Sequence, residues 1–199
     1  MKLILEKRTC SETPYIDDYD CDILDDEGNL AGKRAFSLIR IQNMIADEVG
    51  IAESLQSVTD YGYLEKIFGQ DFIYGRTGKL TPLAQILHKN RNYNVLILKS
   101  LEILPEYRRK GYGKNADLEV HRIFKGQYGM VIKKASPLQF DQFALEYDPA
   151  WAKRMGYDNM KGDRSTDTDL LIRKYESWGY TRIKNTCFLY MDPNNSQES

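Results

Sequence analysis

The sequence predicts a mixed α/β fold built as one domain, and three observations lead there. Two apolar runs of strand length, "NVLILKSLEIL" and "YGMVIKKA", have the near-continuous hydrophobic character of buried central strands. Between them "NADLEVHRIFKG" repeats its apolar residues at helical spacing. Near the N-terminus, an alternating apolar and acidic stretch reads as a hairpin. With 199 residues, 42% hydrophobic and 29% charged, the chain has enough to bury one core.

Taken in order, "YDCDILDDEGNLAGKRAFSLIRI" alternates Tyr19, Cys21 and Ile23 with aspartates, turns at "DDEGN", and continues apolar through Phe36, Leu38 or Ile39, and Ile41. Asp18, Asp20 and Asp22 have the spacing that opens a calcium loop. Its sixth position is then Ile23 rather than glycine and its twelfth Asn29 rather than glutamate, so a solvated strand face is expected and no metal. From Ser54 to Phe68, Leu55, Val58, Leu64, Ile67 and Phe68 suggest a helix interrupted by Gly62. "TPLAQILHKN" predicts a short helix with Thr81 as N-cap and Pro82 at the first position. After the strand "NVLILKSLEIL", the next helix places Ala116, Val120, Ile123 and Phe124 on one face, with Gly126 as its stop.

Beyond the strand "YGMVIKKA" comes an irregular segment, Ser136 to Thr168, holding "DPAWAKRMG" with Asp148 as cap, Pro149 first and Gly156 as stop. "DTDLLIRKYESWG" predicts a helix with Leu171, Ile172, Tyr175 and Trp178 on one side, closed by Gly179. "YTRIKNTCFLYM" reads as the final strand, ending a domain of residues 1–192, and residues 193–199 as a disordered tail.

A net charge of −1 gives no general electrostatic reason to bind nucleic acid or an anionic membrane, so any basic function is local. Cys10, Cys21 and Cys187 are too scattered for a disulfide or metal framework, and neither a signal peptide nor a membrane-spanning run is present. A soluble cytoplasmic protein, monomer or homodimer, is expected.

The local function is at "LEILPEYRRKGYGKNADLEV", Leu101 to Val120: strand, basic glycine turn, helix. The first turn of a helix carries unpaired N–H groups and the positive end of the dipole, a natural anion site. Gly111 and Gly113 lack a Cβ, so a phosphate can approach the main chain, and Arg108, Arg109, Lys110 and Lys114 surround the turn with charge. A plain basic turn from strand to helix would read the same.

This stretch closely resembles the pyrophosphate-binding motif of the GNAT superfamily of acyl-CoA N-acyltransferases: arginine or glutamine, two residues, glycine, one residue, glycine or alanine. Arg108, Gly111 and Gly113 match it. Further on, "IRKYESWGY" is similar to the family's "lYeklGF" element, with Tyr175, Glu176, Gly179 and Tyr180 in register. The resemblance covers about Val95 to Met191.

It implies a mixed, mostly antiparallel twisted sheet, flanked by helices, whose central strands splay apart after a bulge in the fourth. The fourth strand would be Leu96 to Leu104, and the fifth would end near Ala135. The resemblance also implies acetyl-CoA as co-substrate. Its pantetheine arm would pair with the fourth strand, its oxyanion would take a backbone N–H near Leu101 to Ile103, and its pyrophosphate would sit on the turn Arg108 to Lys114, including Tyr112. A primary amine would attack the thioester directly in a ternary complex. Tyr175 is the expected donor to the departing thiolate, although it also lies on the apolar stripe of its helix; Glu102 is the nearest candidate base. Where the family commonly has an asparagine on the CoA arm, this chain has Thr168. Leu101, Ile103 and Leu104 complete the expected cofactor contacts. His88 and His121 receive no role. Gln139, Phe140, Phe143, Asp141, Glu146 and Asp148 are candidates for the acceptor side.

Three other readings stand beside this one. They are a non-catalytic acyl-CoA sensor, a toxin acylating aminoacyl-tRNA, and a nucleotide binder. The last lacks GxxxxGK[ST].

Overall fold

The computed structural model of the protein describes residues 1–9, 14–50 and 82–194. Strand β1 (Lys2–Thr9) runs antiparallel to β2 (Ile16–Leu24), which turns into β3 (Leu30–Ile39). The turn is held by Asp25, whose carboxylate accepts from the backbone N–H groups of Glu27 (3.0 Å) and Asn29 (2.8 Å). Strand β1 was no expectation of the sequence: Leu3 and Leu5 are only half-buried, so its inward face leaves a weak pattern. Ile41 does not continue β3 but opens the short helix α1 (Ile41–Ala46), buried together with Met44.

Helix α2 (Pro82–Lys89) begins at the expected proline; its expected cap Thr81, the Ser54 to Phe68 helix and Cys10 lie outside the described residues. Then follow β4 (Val95–Ile103), α3 (Tyr112–Ile123), β5 (Met130–Lys134), α4 (Gln142–Tyr147), α5 (Pro149–Met155), α6 (Arg164–Glu176), β6 (Thr181–Arg182) and β7 (Phe188–Met191). The sheet order is β1-β2-β3-β4-β5-β7-β6, and every neighbouring pair is antiparallel except β4 with β5.

Both faces of the centre are covered. On one, Ile39, Val95, Ile97, Met130 and Ile132 pack with Ile41, Met44 and Leu87; on the other, Phe36, Leu38, Leu96, Leu98 and Val131 pack with Val120, Phe124, Ile172 and Tyr175. Burial on both faces is why the β4 and β5 sequences are apolar without alternation.

Helix α3 starts at Tyr112, before the predicted asparagine, and Ile123 is 37% exposed rather than on the inner face. Asp117 joins Ala116 and Val120 on that inner face. Helix α6 starts at Arg164, where Asp163 caps the Thr166 N–H at 3.0 Å. Asp148 caps α5 as expected, accepting from Trp151 N–H at 2.9 Å. The predicted final strand is a hairpin, broken where Asn185 adopts φ +61° and the Thr186 hydroxyl donates to the Ile183 carbonyl. Near the C-terminal end, Asp192 is buried and accepts from Asn90 Nδ2 and the Asn194 N–H, while residues 195–199 of the expected tail lie outside the described residues.

Candidate active site

The glycine turn takes the form the sequence requires. A single 3-10 turn, Pro105–Tyr107, ends β4, and Arg109 and Gly111 then take φ of +61° and +87°. Gly111 is the N-cap of α3, and the Asn115 N–H makes the first intrahelical bond, to Gly111 O at 3.0 Å. The N–H groups of Tyr112, Gly113 and Lys114 precede it and have no intrahelical acceptor. Gly111 is needed for its left-handed backbone, since a Cβ there meets only the Asn115 amide. At Gly113 a Cβ would just touch the Leu101 and Trp178 side chains, each at 3.4 Å, leaving little room for anything larger.

The second feature is a fork in the sheet. Strand β5 pairs with β4 only from Val95↔Met130 to Leu98↔Lys133. At that point β4 carries an extra residue, Lys99, because Phe36 pairs with Leu98 and Ala35 with Ser100. From Ser100 to Ile103, β4 stays paired with β3 but has no strand partner on its other edge among the described residues. In an antiparallel ladder the N–H and C=O of a residue leave on the same side. Leu104 N–H donates to Ala31 O on the β3 side (2.9 Å), whereas Ile103 O faces away and accepts from Arg108 Nε (2.9 Å). By alternation, the Leu101 and Ile103 N–H groups face the open edge.

A cavity of about 770 Å³ runs from the glycine turn along this edge, lined by Lys99, Ser100, Leu101, Ile103, the first turn of α3, and Leu170, Leu171, Lys174, Tyr175 and Trp178 of α6 and its C-terminal end. No protein-family model and no curated protein matches the chain. Among solved structures it is similar to nourseothricin acetyltransferase, with 13% identity and a TM-score of 0.36 over 90% of this chain and 66% of that one. It is also similar to arylalkylamine N-acetyltransferase 2 from Aedes aegypti, with 12% identity and a TM-score of 0.36 over 64% and 55% of the two chains. The chain thus spans less than two thirds of each of those proteins. The strand arrangement itself, a fourth strand bulged at its middle, a parallel fifth strand splaying from it and a glycine turn capping α3, is the one the sequence resemblance implies.

Of the predicted site residues, the cavity gathers Leu101, Ile103, Arg108, Arg109, Gly111, Tyr112, Gly113, Lys114 and Tyr175. It does not gather Glu102, Leu104, Lys110 or Thr168. Leu104 is buried and its N–H is engaged with Ala31; exposed Lys110 lies 5.7 Å over the Tyr107 ring. The Thr168 hydroxyl donates to Arg164 O within α6 (2.6 Å), while its neighbour Asp167 lines the cavity and accepts from Gln139. The Glu102 Oε2 accepts from Trp151 Nε1 (2.7 Å) and the Tyr157 hydroxyl (2.9 Å), tying β4 to the segment after β5. Arg108 shapes the turn: besides Ile103 O, its guanidinium donates to Met155 O at 2.6 Å. Of the acceptor-side candidates, Gln139 lines the cavity, whereas Asp148 is spent as a helix cap.

Tyr175 is 8% exposed and forms part of the cavity wall. Burial, followed by the nearby Asp117 charge, pushes its phenol well above the usual range. Beneath it lies a cluster that sequence reasoning missed. Lys133 Nζ, on β5, donates to both Asp117 carboxylate oxygens (2.7 and 2.9 Å), and the Tyr180 hydroxyl donates to Oδ2 (2.7 Å). Arg34 Nη1, on β3, is 2.6 Å from Asp117 Oδ1, but off the N–H direction, so the contact is an ion pair without a hydrogen bond. Burial alone would raise the Asp117 carboxyl, yet Arg34 and Lys133 hold it well below the usual range. Burial pushes Lys133 down to about 7 despite Asp117, because Arg34 shares that one carboxylate. His121 extends the network to the Tyr180 and Tyr128 hydroxyls (3.0 and 2.8 Å), and burial pushes it down to about 4, so it is neutral. Its Nε2–H then donates to Tyr180, and Nδ1 accepts from Tyr128. The available signal was polar residues at inward positions: Arg34, two positions before Phe36 and so on the same face, and Asp117, beside Ala116 on α3.

Proposed function

We propose that the chain is an acyl-CoA-dependent N-acyltransferase, with acetyl-CoA as donor and a primary amine as acceptor. One observation carries the reading: a single cavity joins the free N–H groups opening α3, the unpaired edge of β4 and Tyr175. Its charge agrees, since Arg108, Arg109, Lys114, Lys134 and Lys174 line it against one carboxylate, Asp167, a balance suited to a polyanion, while Lys99 is paired with Asp18 at 2.8 Å. The pyrophosphate lies on the first turn of α3, and the pantetheine pairs with the Leu101 and Ile103 backbone as an added strand. The amine nitrogen attacks the thioester carbonyl, the C–N bond forms and the C–S bond breaks. The nitrogen loses one proton and the thiolate takes one from Tyr175. Glu102, outside the cavity lining and held by Trp151 and Tyr157, is the proposed base and reaches the amine only through a water.

A non-catalytic sensor is the second reading, supported by the engagement of Glu102 with two donors. Calorimetric titration with acetyl-CoA and CoA tests binding, repeated on Arg109→Ala/Lys114→Ala, which is expected to bind at least tenfold more weakly. No heat with the unaltered protein refutes both readings. Thiol release across an amine panel then separates enzyme from sensor.

A further inference from the structure

We propose that Lys133 is a positioning residue for acyl transfer, setting Tyr175 at the fork and keeping a positive charge against its ring as the phenol gives up its proton; this rests on the acyltransferase reading above. Lys133 is 2% exposed, and its ammonium sits 4.0 Å from the Tyr175 ring centroid, 4.9 Å from Trp178 and 5.0 Å from Tyr180. Three rings and the Asp117 carboxylate enclose it. Asp117 carries one negative charge but faces two cations, Lys133 through two hydrogen bonds and Arg34 through an ion pair without one. A second buried cation costs desolvation that a simple core does not recover, so its place against Tyr175 has another use.

That use follows from electrostatics. A cation over an aromatic face is held by the negative face of the ring. The attraction grows when the phenol O–H bond breaks, because the negative charge left on oxygen spreads into the ring. The departing CoA sulfur takes that proton, the Tyr175 oxygen carries the charge, and a proton from solvent restores it, matching the one lost by the amine. Burial makes this donation costly for Tyr175, and Lys133 is the cation placed to offset it.

The test uses tyrosine labelled with carbon-13 at the hydroxyl-bearing carbon, with the Tyr175 resonance identified from Tyr175→Phe. Lys133→Met keeps the chain length and leaves Arg34 and Asp117 as a one-to-one pair; Lys133→Gln serves if that variant does not fold. The expected results are a displaced Tyr175 resonance, acetyl-CoA affinity within about twofold, and turnover reduced about tenfold. In the Tyr175→Phe background the same substitution is expected to change turnover less than about twofold. An unmoved resonance, or equal losses in the two backgrounds, overturns the proposal. Absence of acetyl-CoA binding by the unaltered protein overturns it by a different route, through the acyltransferase reading, and the resonance then reports the lysine–tyrosine contact alone.

Discussion

Replacing Asp117 with asparagine removes one charge from a site where three are enclosed. The side chains of Asp117, Arg34 and Lys133 are 4%, 0% and 3% exposed, so none can turn to water. The amide oxygen can still accept from Tyr180, but the contacts at 2.6, 2.7 and 2.9 Å lose their anion. Breaking a buried pair by removing one partner costs about 3–5 kcal/mol. Lys133 limits the loss because it can release its proton near neutrality, whereas Arg34 cannot. A destabilisation of about 4 kcal/mol is expected, a large part of the roughly 5–15 kcal/mol that holds a domain together. At about 2–4 °C per kcal/mol for a chain of this size, the melting temperature falls by roughly 8–16 °C. Urea and thermal unfolding at pH 7 measure both quantities. Adding Lys133→Met to Asp117→Asn should recover part of the loss, since one cation then remains instead of two. A loss below about 1 kcal/mol for Asp117→Asn would refute the view that this carboxylate is the anchor of the cluster.

Other outcomes follow from the same geometry. Because the folded value of Lys133 lies below its ordinary 10.5, the unfolded chain binds more protons between about pH 7 and 10.5, so stability contributed by this group rises through that window; unfolding free energies at pH 6, 8 and 9.5 should show this slope, and Lys133→Met should flatten it. Tyr175→Phe is expected to lower turnover at least tenfold with acetyl-CoA affinity nearly unchanged, read by thiol release and calorimetry. Glu102→Gln keeps an acceptor for Trp151 and Tyr157, so it should fold normally while turnover falls about 100-fold; unchanged turnover removes its role as base. Gly113→Val adds methyl groups beyond a Cβ already 3.4 Å from Leu101 and Trp178, and should weaken acetyl-CoA binding at least tenfold in the same titration.

The central strands, α3 and the glycine turn were legible because each rests on local chemistry: continuous apolar runs, helical spacing, and a glycine where φ is positive. Arg108, Gly111, Gly113 and Tyr175, named together by the resemblance of two motifs to a known family, line one cavity. The buried cluster was not legible, since Arg34, Asp117 and Lys133 come from three elements far apart in sequence, and each alone reads as a surface charge. Thr168 and Glu102 show a different limit. Sequence placed them on the right elements, but whether a hydroxyl turns back to its own helix or a carboxylate is held by Trp151 and Tyr157 is decided by neighbours. The final hairpin was read as one strand because Ile183 and Cys187 flank a turn whose only marks are Asn185 and Thr186.

The fork also has a bearing on solubility. From Ser100 to Ile103, β4 is an edge strand in the middle of a sheet, with backbone groups ready to accept an extended chain. Sheets usually blunt such edges with charge and bends, and this one has both: the bulge at Lys99 begins it and the Arg108 guanidinium closes its end. An occupant of the cleft therefore acts as a guard as well as a reactant, completing a sheet that otherwise offers its own backbone to strangers.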